Sequence, residues 1–179
     1  MKTIAPETWR KIRAVVLDID GILSDGRIGY GGGLEEEIKF FHVRDGHGVK
    51  LALRAGFLVG VLSGRSSAAN RRRARELGFS FVYEGVHDKT EGFQKLLAEQ
   101  HLDASECLYM GDDVVDIGVM RLAGIAVTVA DAPEYMDRFA HWRTVHAGGQ
   151  GAVREVIERL LRESKRWNTV MKRYGLEEE

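Results

Sequence analysis

Five short runs of almost unbroken apolar character recur along the chain, at residues 14–18, 58–63, 79–83, 107–110 and 125–129. They lack the polar–apolar alternation of a half-exposed sheet, which predicts parallel strands covered on both faces. Between them, residues 45–55, 66–77, 89–101 and 113–123 carry apolar side chains at helical spacing. Gly56, Gly78 and Gly124 stand where the left-handed residue that closes a helix belongs. Strand–helix alternation of this kind predicts an α/β fold, an open, doubly wound parallel sheet. A last helix is expected over about 151–174, with Val153, Val156, Ile157, Leu160, Leu161 and Met171 on one stripe.

The 179 residues, 44% hydrophobic and 30% charged, contain only Pro6 and Pro133 and no Ser/Pro/Gly linker, so residues 1–179 are expected to form one domain. A net charge of −1 supplies no basic field for nucleic acid. No apolar run approaches the roughly 20 residues that span a bilayer. The N-terminal residues lack the apolar stretch of a signal peptide, and the single cysteine, Cys107, rules out an intramolecular disulfide. The expectation is a soluble, cytoplasmic protein with neither nucleic acid nor membrane as partner. Residues 26–43 break the alternation: two short arms around the glycines at 31–33 predict a β-hairpin inserted after the first strand. Ile28 and Tyr30 alternate on one arm, and Phe40 and Phe41 occupy both faces of the other. A two-stranded hairpin is marginal in water, so another subunit is expected to cover it.

Ligands of open α/β sheets bind at the carboxyl ends of the strands. The first strand runs into Asp18 and Asp20, which face the same side in extended backbone. The second ends at Ser63-Gly64-Arg65, Lys89 precedes the helix after the third, and the fourth ends in Gly111-Asp112-Asp113 with Asp116 one turn on. Clustered carboxylates resist joint ionisation. A hard cation removes that cost, and a few oxygen ligands suit Mg²⁺. Ser63 and Lys89 can then hold the remaining oxygens of a phosphate by hydrogen bond and point charge. Asp18 is placed to attack phosphorus, and Asp20 to protonate the leaving alkoxide and afterwards activate water. Each group alone has an ordinary alternative as a turn, a helix cap or a solvated side chain. Their occurrence in order at successive strand ends favours chemistry. By contrast, the arginines at 71–75 read as a solvated helix face apart from Arg73, Trp9, Trp142 and Trp167 as packing residues, and Cys107 as an inert buried thiol. His47, His87, His101, His141 and His146 show no metal-ligand spacing.

The DIDG loop around Asp18 and Asp20, Ser63, Lys89 and the GDDVVD run resemble the four motifs of the haloacid dehalogenase superfamily. The resemblance implies a Rossmann-like sheet of order 5-4-1-2-3 and Mg²⁺ bound by Asp18, by the backbone carbonyl of Asp20 and by Asp112, with Asp113 and Asp116 behind them. The stretches DIDGILSDG, EEEIKFFHVRDGHG, SGRSS, DKTEGF, GDDVVD and GGQGAVRE are similar to the capless phosphatases of that superfamily that act on 3-deoxy-D-manno-octulosonate 8-phosphate. This implies hydrolysis of a small sugar-acid phosphate through an aspartyl-phosphate, a role in lipopolysaccharide biosynthesis and no cap domain. It also implies a homotetramer whose hairpin contributes to a neighbour's site. Substrate contacts are implied for His42, Val43, Arg44, Asp45, Gly46, Lys50, Gly64, Arg65 and Arg73, besides Asp20 and Lys89. Guanidinium groups suit a carboxylate substrate. His42 stands where the family has Asn and Glu84 where it has Gln, and the GVHDK segment is similar to relatives acting on nine-carbon, sialic-acid-type phosphates. A nine-carbon 9-phosphate is therefore the alternative substrate. A phosphorelay receiver would carry its acidic pair on the first strand and its phosphorylated Asp later, the reverse of this order. A non-catalytic oligomerisation module of the same fold would be expected to have lost motif residues, and all are present here.

Overall fold

The computed structural model describes residues 3–32 and 37–176. After β1 (Ala14–Leu17) comes a hairpin of β2 (Gly29–Tyr30) and β3 (Glu37–Ile38), then β4 (Leu58–Leu62), β5 (Phe81–Tyr83), β6 (Cys107–Met110), β7 (Ile125–Thr128) and β8 (Trp142–Arg143). All but the hairpin strands join one parallel sheet in the order β5-β4-β1-β6-β7-β8. Read from β7 toward β5, the five expected strands follow the order 5-4-1-2-3, with β8 added outside β7. Among the described residues no cap domain is apparent, since the hairpin strands are the only elements between β1 and the next helix. The helices are α1 (Pro6–Lys11), α2 (Val43–Arg54), α3 (Ala68–Leu77), α4 (Lys89–Gln100), α5 (Ile117–Leu122), α6 (Ala152–Glu163) and α7 (Trp167–Met171).

The strands are apolar throughout because each feeds two cores. In β1, Val15 and Leu17 point into a cluster with Val49 and Leu51 of α2 and Val156, Ile157 and Leu160 of α6. Ala14 and Val16 point the other way, toward Phe93 and Leu96 of α4 and Val119 and Met120 of α5. This is the period-two alternation of side chains across a strand. The three tryptophans are buried in the first layer, where the Arg159 guanidinium lies between Trp9 and Trp142, 5.2 and 4.5 Å from their ring centres. Burial pushes the Cys107 thiol up to about 12. Among the described residues, no helix is long and apolar enough to cross a membrane.

Three expectations need correction. Gly124 does not close its helix in a left-handed conformation, as Gly56 and Gly78 do. It is glycine because a Cβ there would lie 2.2 Å from the Ser105 carbonyl oxygen. The single helix expected over 151–174 is instead α6, then α7 and a short 3₁₀ turn. The Ser164 hydroxyl donates to the Leu160 carbonyl at 2.6 Å, Lys165 turns to φ 59°, and Arg166 N donates to Leu161 O at 2.8 Å. The break returns Trp167, Val170 and Met171 to the core. The sheet has a sixth strand, β8, beyond the five apolar runs. Arg143 within it donates to the carbonyls of Val129, Ala132 and Pro133, which ties the sheet edge to the preceding loop.

The hairpin forms, with Gly29 opposite Ile38 and Tyr30 opposite Glu37. Residues 31 and 32 of its glycine turn are described, and Gly33 lies outside the described residues. Phe41 packs on the core, while Tyr30 (82% exposed), Phe40 (58%) and Val43 (82%) project outward.

Candidate active site

Register brings the polar strand ends together. Leu17 pairs with Val61 and with Met110, so β1, β4 and β6 end side by side. The ladder runs one residue further, with Asp18 N donating to Met110 O at 3.0 Å and Ser63 N to Tyr83 O at 2.8 Å. Past Asp18 the chain turns around the Ile19 carbonyl, which accepts from the backbone of Leu23 and Ser24. Gly21 adopts φ 88°, and a Cβ there would lie 2.1 Å from Asp112 Oδ2. Glycine therefore satisfies both the turn and the close approach of the two acidic loops. The loop of residues 148–151 supports this turn from behind. Gly149 N donates to Ile22 O at 2.9 Å, and a Cβ on Gly148 would fall 1.7 Å from Gly21 O.

Lys89 enters at the start of α4, whose cap is Asp88, accepting from the backbone N–H groups of Thr90 and Glu91. Its buried ammonium lies 2.8 Å from Asp18 Oδ1 and 2.6 Å from Asp116 Oδ1. Asp116 is fully engaged. Its Oδ1 also accepts from the Tyr109 hydroxyl at 2.6 Å, and its Oδ2 accepts from the backbone N–H of Asp112 at 3.0 Å and of Asp113 at 3.2 Å. The Asp113 carboxylate caps the next turn through Val114 N and accepts from the Tyr135 hydroxyl. Asp18 and Asp112 carry the residual strain. Burial, opposed by Lys89 and reinforced by Asp116, pushes the Asp18 carboxyl up to about 6. Burial, together with the charges of Asp18 and Asp116, pushes Asp112 up to about 7. Burial works against the Lys89 charge, yet the two carboxylates outweigh it and the net shift is upward.

Carboxylate oxygens of Asp18, Asp112 and Asp116 all lie within 4.8 Å of one another. Asp116 already has four donors, so Asp18 and Asp112 are the pair with coordination to offer. An all-oxygen set with raised proton affinity fits a hard divalent cation, and Mg²⁺ in particular, which needs few protein ligands. In front of the pair is a cavity of about 310 Å³ lined also by Asp20, Ser63, Gly64, Arg65, His87 and Lys89. At its hairpin side, Asp20 Oδ1 lies 2.6 Å from the ammonium of Lys39, and Arg65 reaches Glu37 at 2.9 Å.

A family profile described as haloacid dehalogenase-like hydrolase matches residues 76–157. The 3-deoxy-D-manno-octulosonate 8-phosphate phosphatase KdsC of Yersinia pestis is 39% identical over 150 residues, which cover 84% of this chain and 80% of that protein. The KdsC of Escherichia coli K12 is 41% identical over 84% of this chain and 79% of its own. This chain belongs to the haloacid dehalogenase-like phosphatases, in the KdsC branch. The fold agrees. The Moraxella catarrhalis 3-deoxy-D-manno-octulosonate 8-phosphate phosphatase, crystallised with magnesium, phosphate and KDO, superposes with a TM-score of 0.89 at 35% identity, over 94% of this chain and 97% of that one. The cobalt-bound Haemophilus influenzae phosphatase gives 0.87 at 34% identity, over 94% and 98%.

The other substrate contacts implied by resemblance lie away from this phosphatase's own cavity. His42 and Arg44 line a separate groove of about 790 Å³ beside α6. Val43 projects outward and Lys50 is exposed on α2. Arg73 sits over the Phe41 ring, 5.5 Å from its centre, and bonds Glu76. Gly46 makes room for it, since a Cβ there would lie 2.3 Å from Arg73 Nη2. Asp45 has another role. It is wholly buried, and its carboxylate accepts from Gly151 N at 3.0 Å and Arg154 N at 2.8 Å, capping α6. Burial raises its carboxyl above the usual range despite those bonds. Sequence reasoning missed Tyr109 and Lys39. The signal for each was a polar tip inside an apolar context, Tyr109 within CLYM and Lys39 between Ile38 and Phe40.

Proposed function

We propose that this phosphatase hydrolyses 3-deoxy-D-manno-octulosonate 8-phosphate with Mg²⁺ and an aspartyl-phosphate intermediate. The observation that carries the reading is the Asp18–Lys89–Asp116 arrangement beside Asp112, in a cavity that also presents Asp20, Ser63 and Arg65. Asp18 attacks phosphorus, forming its carboxylate–phosphorus bond as the ester P–O bond breaks. Asp20 gives a proton to the departing alkoxide and then takes one from the water that attacks the phospho-aspartate, releasing phosphate and Asp18. Lys89 holds Asp18 Oδ1 and neutralises charge on the phosphoryl oxygens, and Ser63, nearly fully buried, offers a hydroxyl to one of them. Asp18, the Asp20 carbonyl and Asp112 would hold Mg²⁺, which when bound would supply charge screening for the phosphate. Arg65 meets the sugar acid. The similarity to KdsC phosphatases over most of both chains supports the eight-carbon substrate.

The second part of the proposal is a homotetramer working in the cytoplasm. Residues 42–46 sit off their own cavity, Val43 among them is exposed, and so are Tyr30 and Phe40 of the adjoining hairpin segment. A neighbouring copy brings such residues to the open cavity of the next chain. Phosphate release across eight- and nine-carbon ulosonate phosphates tests the substrate. The eight-carbon 8-phosphate is expected to give the highest kcat/KM, with activity abolished by EDTA and restored by Mg²⁺. A higher value for a nine-carbon 9-phosphate, or full activity in chelator, would refute the corresponding half.

A further inference from the structure

Lys39 directly follows β3 of the hairpin, and its side chain is 0% exposed. A buried ammonium is costly unless an anion compensates it. Its neighbours are Asp20 Oδ1 at 2.6 Å and Glu37 Oε1 at 4.0 Å, so Asp20 is the compensating charge. The contact is an ion pair lying off the hydrogen-bond directions. The Ser24 hydroxyl approaches the same Oδ1 at 3.4 Å. Asp20 Oδ2 is in the opposite condition. It is buried and accepts no hydrogen bond, and Arg65 Nε lies 3.8 Å away, beyond hydrogen-bond reach. Arg65 is itself held by Glu37, two residues before Lys39. The hairpin thus fixes one oxygen of Asp20 and leaves the other without a hydrogen bond, facing only the Arg65 guanidinium at ion-pair distance on the cavity side.

We propose that Lys39 is a positioning residue for Asp20: its ammonium holds Oδ1 so that Oδ2 is the oxygen that exchanges protons in the reaction. The inference rests on Asp20 being the acid/base. In the first half-reaction, Oδ2–H passes its proton to the bridging ester oxygen as the P–O bond breaks and the Asp18–phosphorus bond forms. In the second, a water gives its proton to Oδ2 as its oxygen bonds phosphorus and the Asp18–phosphorus bond breaks. Lys39 exchanges no proton in either. The torsion that turns a carboxylate is broad and roughly two-fold, so an unheld Asp20 presents either oxygen at shifting angles. Misplacement by about 1 Å costs on the order of 10²-fold in rate. Docking of the hairpin and aiming of the acid are one event.

The test compares an alkyl ester, 3-deoxy-D-manno-octulosonate 8-phosphate, with p-nitrophenyl phosphate, whose phenolate departs without a proton. First-turnover rates are measured for wild type, Lys39→Met and Asp20→Asn, with Mg²⁺ saturating. Lys39→Met is expected to slow the alkyl ester about 10- to 100-fold and the aryl ester less than about threefold, with KM for the sugar phosphate little changed. Equal losses on both esters, or no loss, would overturn the proposal. Should Lys39→Met not fold, Lys39→Gln is read by the same criterion. Asp20→Asn separates the two ideas. If it shows the selective alkyl loss and the Lys39 variant does not, the positioning role alone fails. If Asp20→Asn spares the alkyl ester, the acid/base assignment fails first.

Discussion

Asp18 and Asp112 share one electrostatic problem, since burial, with repulsion from Asp116 on both and from Asp18 on Asp112, pushes their carboxyls up to about 6 and about 7. In the metal-free protein the folded state therefore binds protons more tightly than the unfolded chain. The stability these groups contribute is full below their ordinary value of 3.8 and is lost as pH rises through about 6 and then about 7. Mg²⁺ held by the deprotonated pair, as proposed above, would reverse the sign. Saturating Mg²⁺, at about 100 times Kd, adds ~2.7 kcal/mol, or about 5–10 °C in Tm for a chain of this size. That gain is expected at pH 8 and should nearly vanish at pH 5. Equal gains at both pH values would place the metal on other ligands. Asp18→Asn is expected to lower kcat by about 10³-fold or more while Tm holds or rises, because it removes the nucleophile and one of the repelling charges together. Substantial turnover in that variant would rule out covalent catalysis at Asp18.

Elements meet through Asp45, whose carboxylate in α2 closes the N terminus of α6. The backbone N–H groups it accepts would be left unpaired in Asp45→Ala, at a cost of ~1–3 kcal/mol. Urea unfolding should show that loss, with first-turnover kinetics on p-nitrophenyl phosphate little altered. A variant of wild-type stability would mean that water satisfies the helix end equally well. The sheet was legible because Val15, Val16, Val59, Val61 and their neighbours are buried on both faces, which leaves continuous apolar runs. Asp18 and Ser63 were legible because each directly follows such a strand, Asp112 because it lies two residues past one, and Lys89 because it opens the helix after the third. The fates of Asp45, Lys39 and Tyr109 depend on partners far along the chain, and spacing carries no record of those. The break at Ser164–Lys165 was hidden for a related reason. Neither glycine nor proline marks it, and the pull of Trp167 and Met171 into the core decides it.

Taken as one body, the chain leaves its cavity open and its hairpin uncovered. Light scattering is expected to report a homo-oligomer with the mass of a tetramer. Replacing Tyr30 and Phe40 with serine should shift it toward smaller species and depress kcat/KM for the sugar phosphate. Mg²⁺-dependent hydrolysis of p-nitrophenyl phosphate should persist, since the strand-end residues are untouched. A wild-type monomer with full sugar-phosphate activity would show that each chain completes its own site.

The contact between Gly148 and the Gly21 carbonyl bears on how this enzyme can change over time. Where two main chains meet with no room for a methyl group, no side chain exists to be exchanged, and the floor of the site cannot drift by substitution. Variation has to be absorbed at the rim instead, by residues such as Arg65 and His87. Directed evolution toward a different sugar acid should accordingly accumulate changes there and return glycine at 21 and 148 in every active clone.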